Sequence, residues 1–484
     1  MKKHFIYASI FCMTALGISS CNRDYLSPVP ETSVPAESGF ATEQRVTNQL
    51  LSLYEAMKHG NFYGGRFVIY GDIRGEEFIN ETSNLVTGSD VWSLNPTNSA
   101  TAVERLWQYA YLTINKCNIF LDGMASQGTS VVGNDVAARY IAEAKFIRAI
   151  SYYSLLQYYA RPYAENNGGS PGLPLRLSGI VNATGNLQLA RSSVAEVYTQ
   201  ILKDLNEAEA SLPSNYSTPE LNTTRAHKNT AIALKTRVYL TMQSYADVIT
   251  EANKIVNSTA PFTAPTGVAN ALQADISTVF STFNTTESIL SMPMTATSGD
   301  NPGTQNQLAY YYSPTVGNRE YSLNPNGIIA NTTWKSTDKR RSFIGTAANK
   351  SWLTKYKIGT TFSDYVPVMR YSEVLLNLAE ARVRTSNSVD PQAVALLNAV
   401  RTRSDATTTF TTTSFANATE LINAILLERR IEFLGEGLRN NDLMRLLQTI
   451  PAKGTISAKA PSEPGYIWPI AASELSLNPL MKDN

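Results

Sequence analysis

The sequence predicts a mainly α-helical, solenoid-like body with irregular segments laid along one side. Three observations carry this. Apolar residues recur at helical spacing through most of the chain. Two helical pairs, Thr230–Gln243 with Tyr245–Val256 and Tyr371–Arg384 with Asp390–Arg403, are joined by short connections. Residues 257–365 lose the period and become rich in Thr, Ser, Asn and Gly. Helix pairs that cannot bury their apolar faces alone must stack on one another.

Residues 1–20 read as a targeting segment: Lys2 and Lys3, an apolar stretch from Phe5 to Ile18, then Ile18-Ser19-Ser20-Cys21. Residues 21–38 are short, polar and proline-bearing, which suits a tether. Residues 39–256 form an N-terminal region. There the helical period begins near Glu43 with Val46, Leu50, Leu53 and Met57 on one face. Gly60–Leu94 is aperiodic and rich in Gly, Tyr and acids; Ala102–Met124 is helical again, with Trp107 in phase with the core. Asp135–Arg161 is the longest clean helix, stopped by Pro162, and its Ala142, Phe146 and Ala149 fit the small-large-small pattern of a tetratricopeptide second helix. Ser193 and Glu196 form a capping box for the next helix. Gly168-Gly169-Ser170-Pro171-Gly172 matches G-x-S-x-G in letters only, because Pro171 has no N–H for an oxyanion hole, so it predicts a turn.

Residues 257–365 form a loop-rich segment holding Tyr310–Tyr312, Trp334 and Trp352, and a stretch of this length without helices usually carries function. Residues 366–484 return to helices. Asp390-Pro391 opens one of them as a cap followed by proline at the first position. Leu421–Arg445 contains a helix capped by Asn417, with Glu420 as the reciprocal partner and Gly435 as the left-handed terminator. Glu428 and Glu432 lie one turn apart. A catalytic pair is one reading; a buried Glu/Arg lattice is the other, and it is favoured because each acid has an arginine within a turn.

Lys+Arg 41 against Asp+Glu 40 leaves a net charge of +1, which argues against a nucleic-acid partner. Of three cysteines, Cys12 lies in the targeting segment and Cys21 at its end, so Cys117 is left without a disulfide partner and predicted to be a buried thiol. His59 and His227 are far apart and offer no metal-ligand spacing, so no metal or cofactor is expected apart from an undecided structural calcium.

Cys21, Ala142–Tyr163, Ala190–Pro213, Thr224–Leu240, Arg370–Arg384, Ala393–Ser404, Leu426–Arg445 and the YIWPIAASELSLNP stretch near the end resemble, in order and spacing, the SusD/RagB family of outer-membrane nutrient-binding lipoproteins. The resemblance implies four tetratricopeptide-like helix pairs forming a right-handed scaffold under an irregular, loop-rich half that carries short strands. It also implies lipidation at Cys21 and a lipid-anchored position on the cell outer membrane, facing the exterior. A SusC-like TonB-dependent barrel would be the partner, receiving nutrient oligomers, most often glycans. No catalysis is implied.

A sugar presents apolar C–H faces ringed by hydroxyls, so a glycan site calls for flat aromatics beside amides, carboxylates or guanidiniums. The candidates are Trp92 with Asn95 beside it, Tyr311 and Tyr312 (three consecutive tyrosines cannot all face inward in a regular element), Trp334, and Arg74 from the Gly-rich stretch. Two alternatives stand beside glycan capture: a peptide-capturing protein of the same architecture, and a surface glycoside hydrolase using two of the acids.

Overall fold

The computed structural model describes residues 36–182, 187–297, 300–359, 361 and 363–484. The targeting segment, Cys21 and nearly all of the tether lie outside these residues.

The scaffold is a run of antiparallel helices: α1 Glu43–Met57, α2 Arg66–Ile73, α3 Thr101–Gly123, α4 Asn134–Tyr159, α5 Val194–Ser211, α6 Lys228–Thr241, α7 Tyr245–Ala252, α8 Tyr371–Ser386, α9 Pro391–Ser404, α10 Ala418–Glu432 and α11 Arg439–Arg445. α1 packs on α3, α3 on α4, α4 on α5, α5 on α6, α6 on α7, α7 on α8, α8 on α9, and α10 closes the series against α8. Consecutive pairs therefore stack as the tetratricopeptide-like reading requires. α4 is buried along nearly its whole second half, and Ala142, Phe146 and Ala149 all sit in the core. Cys117 is buried, and burial pushes its thiol pKa up.

Local chemistry sets the boundaries. The Ser193 and Glu196 side chains bond each other's backbone N–H, a complete capping box. Asp390 accepts from Ala393 N, with Pro391 at the first helical position. At α10 the Asn417 side chain accepts from Glu420 N as predicted. The return bond differs, however: Glu420 accepts from Ala416 N at 2.8 Å, one residue before the cap. Gly435 is left-handed at φ +84°.

The strands are short and pair antiparallel: β1 Phe78–Asn80 with β3 Tyr321–Leu323, β2 Ser288–Met292 with β6 Val366–Arg370, and β4 Ile344–Ala347 with β5 Lys350–Leu353. The β1–β3 pair joins the two aperiodic stretches, 60–94 and 257–365, to each other. Glycines allow the close approach. A Cβ on Gly60 would stand 2.2 Å from the Pro302 carbonyl oxygen, and one on Gly65 would stand 1.7 Å from that of Asn306.

Charge fixes the loop-rich segment to the scaffold. Glu432 accepts from Arg340 and Arg370 at 2.9 Å and from Arg403 at 2.6 Å. Glu428 accepts from Arg340 at 2.6 Å and pairs with Arg401 at 2.5 Å. Glu436 takes Arg370 and Lys355, and Glu287 takes Arg370 and Arg403. All of these side chains are buried. The lattice thus connects α9, α10, β6 and the segment around residues 338–355 through charge-assisted bonds. Among the described residues no helix is long and apolar enough to cross a membrane.

Candidate functional site

The rings proposed from the sequence are packed inside the molecule. Trp92, on a single helical turn, is 9 % exposed. Its Nε1 donates to the Phe78 carbonyl at 2.8 Å, Lys453 lies over its ring, and Gly454 sits against it. Tyr311 is fully buried, its hydroxyl donating to Gln305 O and its ring stacked on Tyr321. Tyr312 is equally buried, donating to Asp72 and stacked on Phe78.

The expectation that one of three consecutive tyrosines must be exposed is corrected. Leu308–Tyr312 is a short helix enclosed on every side, and Tyr310, 6 % exposed, is enclosed too. Trp334 is buried under the Arg341 guanidinium, 4.1 Å from its ring centre. Arg74 is buried, bonded to Asn440 Oδ1 and the Tyr466 carbonyl, and burial lowers its pKa to about 10. Of the candidates, Asn95 alone is exposed, next to the buried Trp92 rather than a displayed one. The predicted residues therefore form no open platform. They fill the seam between the two aperiodic stretches.

The Glu428/Glu432 pair resolves as lattice. Both carboxylates are fully buried against arginines. Burial alone would raise the Glu432 pKa, but Arg403, Arg370 and Arg340 outweigh it and hold it well below the usual carboxylate range.

An open cleft of 330 Å³ lies elsewhere, between the C-terminal end of α1 and the segment following β2. Ligand pockets in general run from about 300 to 1,000 Å³, so it suits a short ligand or one end of an oligomer. Leu51, Glu55, Lys58 and His59 line one side; Met292, Pro293, Met294 and Asp300 line the other. The α1 wall is held by Tyr54, whose hydroxyl donates to Glu143 of α4 at 2.6 Å and accepts from Ala226 N at 2.9 Å. Gly60, pressed on the Pro302 carbonyl, brings the other wall close.

Lys58 and Asp300 form an ion pair across the cleft, with the lysine side chain 19 % and the aspartate 42 % exposed. Asn301 is spent on the loop: its amide donates to Thr361 O and accepts from Gly303 N and Gln307. His59 is half-buried, its ring stacked on Tyr109 with centroids 3.6 Å apart and planes 10° apart. Its Nδ1 accepts from Asn61 N at 3.1 Å, so in the neutral ring the proton sits on Nε2. Burial, then the charge of Arg105, lowers its pKa. His227, by contrast, is fully buried, and burial takes it down to about 4.

A second hollow, of 520 Å³, lies beside α3 and is lined by Phe40, Ile119, Gly123 and Val181. Its Asp122 is already committed to Gly179 N at 2.7 Å. It is the more apolar of the two and offers fewer groups to a hydroxyl-rich ligand.

Sequence reasoning passed over Lys58, His59 and Asp300. Lys58 and His59 follow the last apolar residue of α1, where a basic residue reads as an ordinary helix end, and Asp300 lies 242 positions away. The one local signal was Gly60 directly after the pair.

A family model described as the SusD family matches residues 236–484, just over half of the chain. The chain belongs to the SusD family. A second model, described as starch-binding and associating with the outer membrane, matches residues 24–240, so the two matches meet within α6. Among curated SusD relatives, SusD-like protein P38 of Formosa agariphila is 21% identical over 99% of this chain and 98% of its own length. SusD-like protein P25 of the same organism is 25% identical over 49% of this chain, a match that spans only 43% of P25. The crystal structure of a SusD superfamily protein from Bacteroides fragilis superposes with a TM-score of 0.81 at 31% identity, covering 92% of this chain and 99% of that one. Surface glycan-binding protein A from Bacteroides thetaiotaomicron, solved with laminarihexaose, shares the fold: TM-score 0.73, 16% identity, 92% and 99% covered.

Proposed function

We propose that this SusD-family protein captures oligosaccharides at the outer face of the outer membrane and hands them to a SusC-like TonB-dependent barrel, held there by a lipid on Cys21. The observation that carries this reading is family membership over both halves of the chain, on the fold of a protein solved with laminarihexaose. A further structure with the same fold, TM-score 0.70, is a laminarin-binding SusD-like protein.

The reading is one of binding, without chemistry on the ligand. Glycosidases place two carboxyl groups on either side of the scissile bond, whereas Glu428 and Glu432 face arginines inside the lattice. Capture and release call for affinities between millimolar and micromolar, roughly −4 to −8 kcal/mol. A glycan array on the purified protein, with calorimetry on each hit and on a peptide library, tests the reading. Saccharide binding without product release supports it. Binding of peptides alone moves the protein to the peptide-capturing alternative, and saccharide cleavage to the hydrolase. Co-purification with a TonB-dependent barrel from native membranes tests the partner.

A further inference from the structure

We propose that the cleft between the end of α1 and the segment after β2 is the saccharide-binding site of this chain, with the His59 ring, backed by Tyr109, as its platform. The inference rests on the glycan-capture reading and deepens it by naming the place and the groups. It also moves recognition away from Trp92, Tyr311, Tyr312 and Trp334, which the fold encloses.

Three features converge on the cleft. The first is a flat ring at an open wall. His59 lines the cleft and is only half-buried, and Tyr109 lies parallel behind it at 3.6 Å. Two stacked rings make a rigid plate with little rotamer freedom to lose when a sugar's C–H face settles on it.

The second is unspent hydrogen-bonding capacity. His59 Nδ1 is taken by Asn61 N, which leaves Nε2–H as a donor. Glu55 is exposed and its carboxylate makes no hydrogen bond among the described residues. Among the described residues the Asp300 carboxylate has one partner, Lys58, and each of its oxygens can accept more than one bond. Sugar hydroxyls both donate and accept, so a rim of carboxylates, an ammonium and an imidazole N–H can be satisfied by them in many registers. The lattice around α10 holds the same residue types closed off from solvent, so its acids meet guanidiniums and not a ligand.

The third is the floor. Met292 and Met294, 3 % and 8 % exposed, close the base of the cleft with adaptable apolar side chains. β2, which leads into it, is buried along its whole length and paired to β6. That pairing and burial hold the base of the cleft in place.

The test is calorimetry of the purified full-length protein with laminarihexaose and maltohexaose as probes, repeated on His59→Ala, His59→Phe and Asp300→Asn, with melting temperatures recorded for each. Expected are binding of at least one hexaose by the parent protein, a loss of tenfold or more in His59→Ala, and a loss of several-fold in Asp300→Asn. In His59→Phe, which keeps a flat ring on Tyr109, most of the affinity should return. If His59→Ala melts lower, the His59→Phe and Asp300→Asn results decide. If the parent binds a hexaose and both His59→Ala and Asp300→Asn bind it within twofold, the site is wrong while glycan capture stands. Binding of neither hexaose, with peptides bound instead, removes the capture reading and this inference together.

Discussion

The lattice around α10 and the cleft at the end of α1 are made of the same residue types and behave oppositely. In the lattice, Glu287, Asp338, Glu428, Glu432 and Glu436 meet Arg340, Lys355, Arg370, Arg401 and Arg403 with every side chain buried. In the cleft, among the described residues, the Lys58 side chain has one partner, the Glu55 carboxylate has none, and both walls reach solvent. A carboxylate fully enclosed by guanidiniums can only hold structure. One with spare lone pairs at an open wall can also meet a ligand. The difference lies in whether the groups are closed off from solvent, and residue identity alone does not reveal it.

The strongest way to break this contrast is Glu432→Ala. It leaves Arg370 and Arg403 buried with reduced compensation and is expected to cost about 3–5 kcal/mol, measured as a fall in the denaturation midpoint. A cost below about 1 kcal/mol would mean that the lattice is not what joins the loop-rich segment to the helices. Trp92→Ala should destabilise on the same scale, about 3–5 kcal/mol, as a buried ring is lost. It should leave oligosaccharide affinity per folded molecule unchanged, and selective loss of affinity at constant melting temperature would restore Trp92 as a binding ring.

Acid sharpens the comparison next. Burial alone would raise the Asp442 pKa, but the Arg429 and Arg445 guanidiniums outweigh it and hold the carboxyl at about 2; Glu432 and Glu380 are lowered in the same way. A depressed folded pKa means stability that is fully present above the unfolded value, near 4, and is lost as pH falls towards the folded one. Stability from these groups should therefore drain between about pH 4.5 and 2, visible as a falling melting temperature. A flat profile through that window would contradict the pairing. The smallest effect belongs to the cleft: Lys58→Ala breaks a half-exposed pair and should cost less than about 1 kcal/mol.

Most of the scaffold was legible in the sequence because helices announce themselves locally. The Ser193–Glu196 box, the Asp390-Pro391 start and the phase of Trp107 each depend on neighbours within a turn or two, and each stands as read. The candidate binding region was not legible for the opposite reason. Trp92 looked free because its own stretch lacks a period, yet its cover comes from Lys453 and Gly454, far along the chain. Tyr311 and Tyr312 looked too many to bury until Phe78 and Tyr321 arrived from other segments to enclose them. Lys58 and Asp300 become one feature only when the chain closes over 242 positions.

Hydrogen exchange of the full-length protein, with and without a saturating oligosaccharide, asks the central question most directly and needs no substitution. Protection confined to residues 54–60 and 291–297 is the predicted result. Protection centred on residues 90–95, 310–312 and 334, with the α1 end unchanged, would contradict the account.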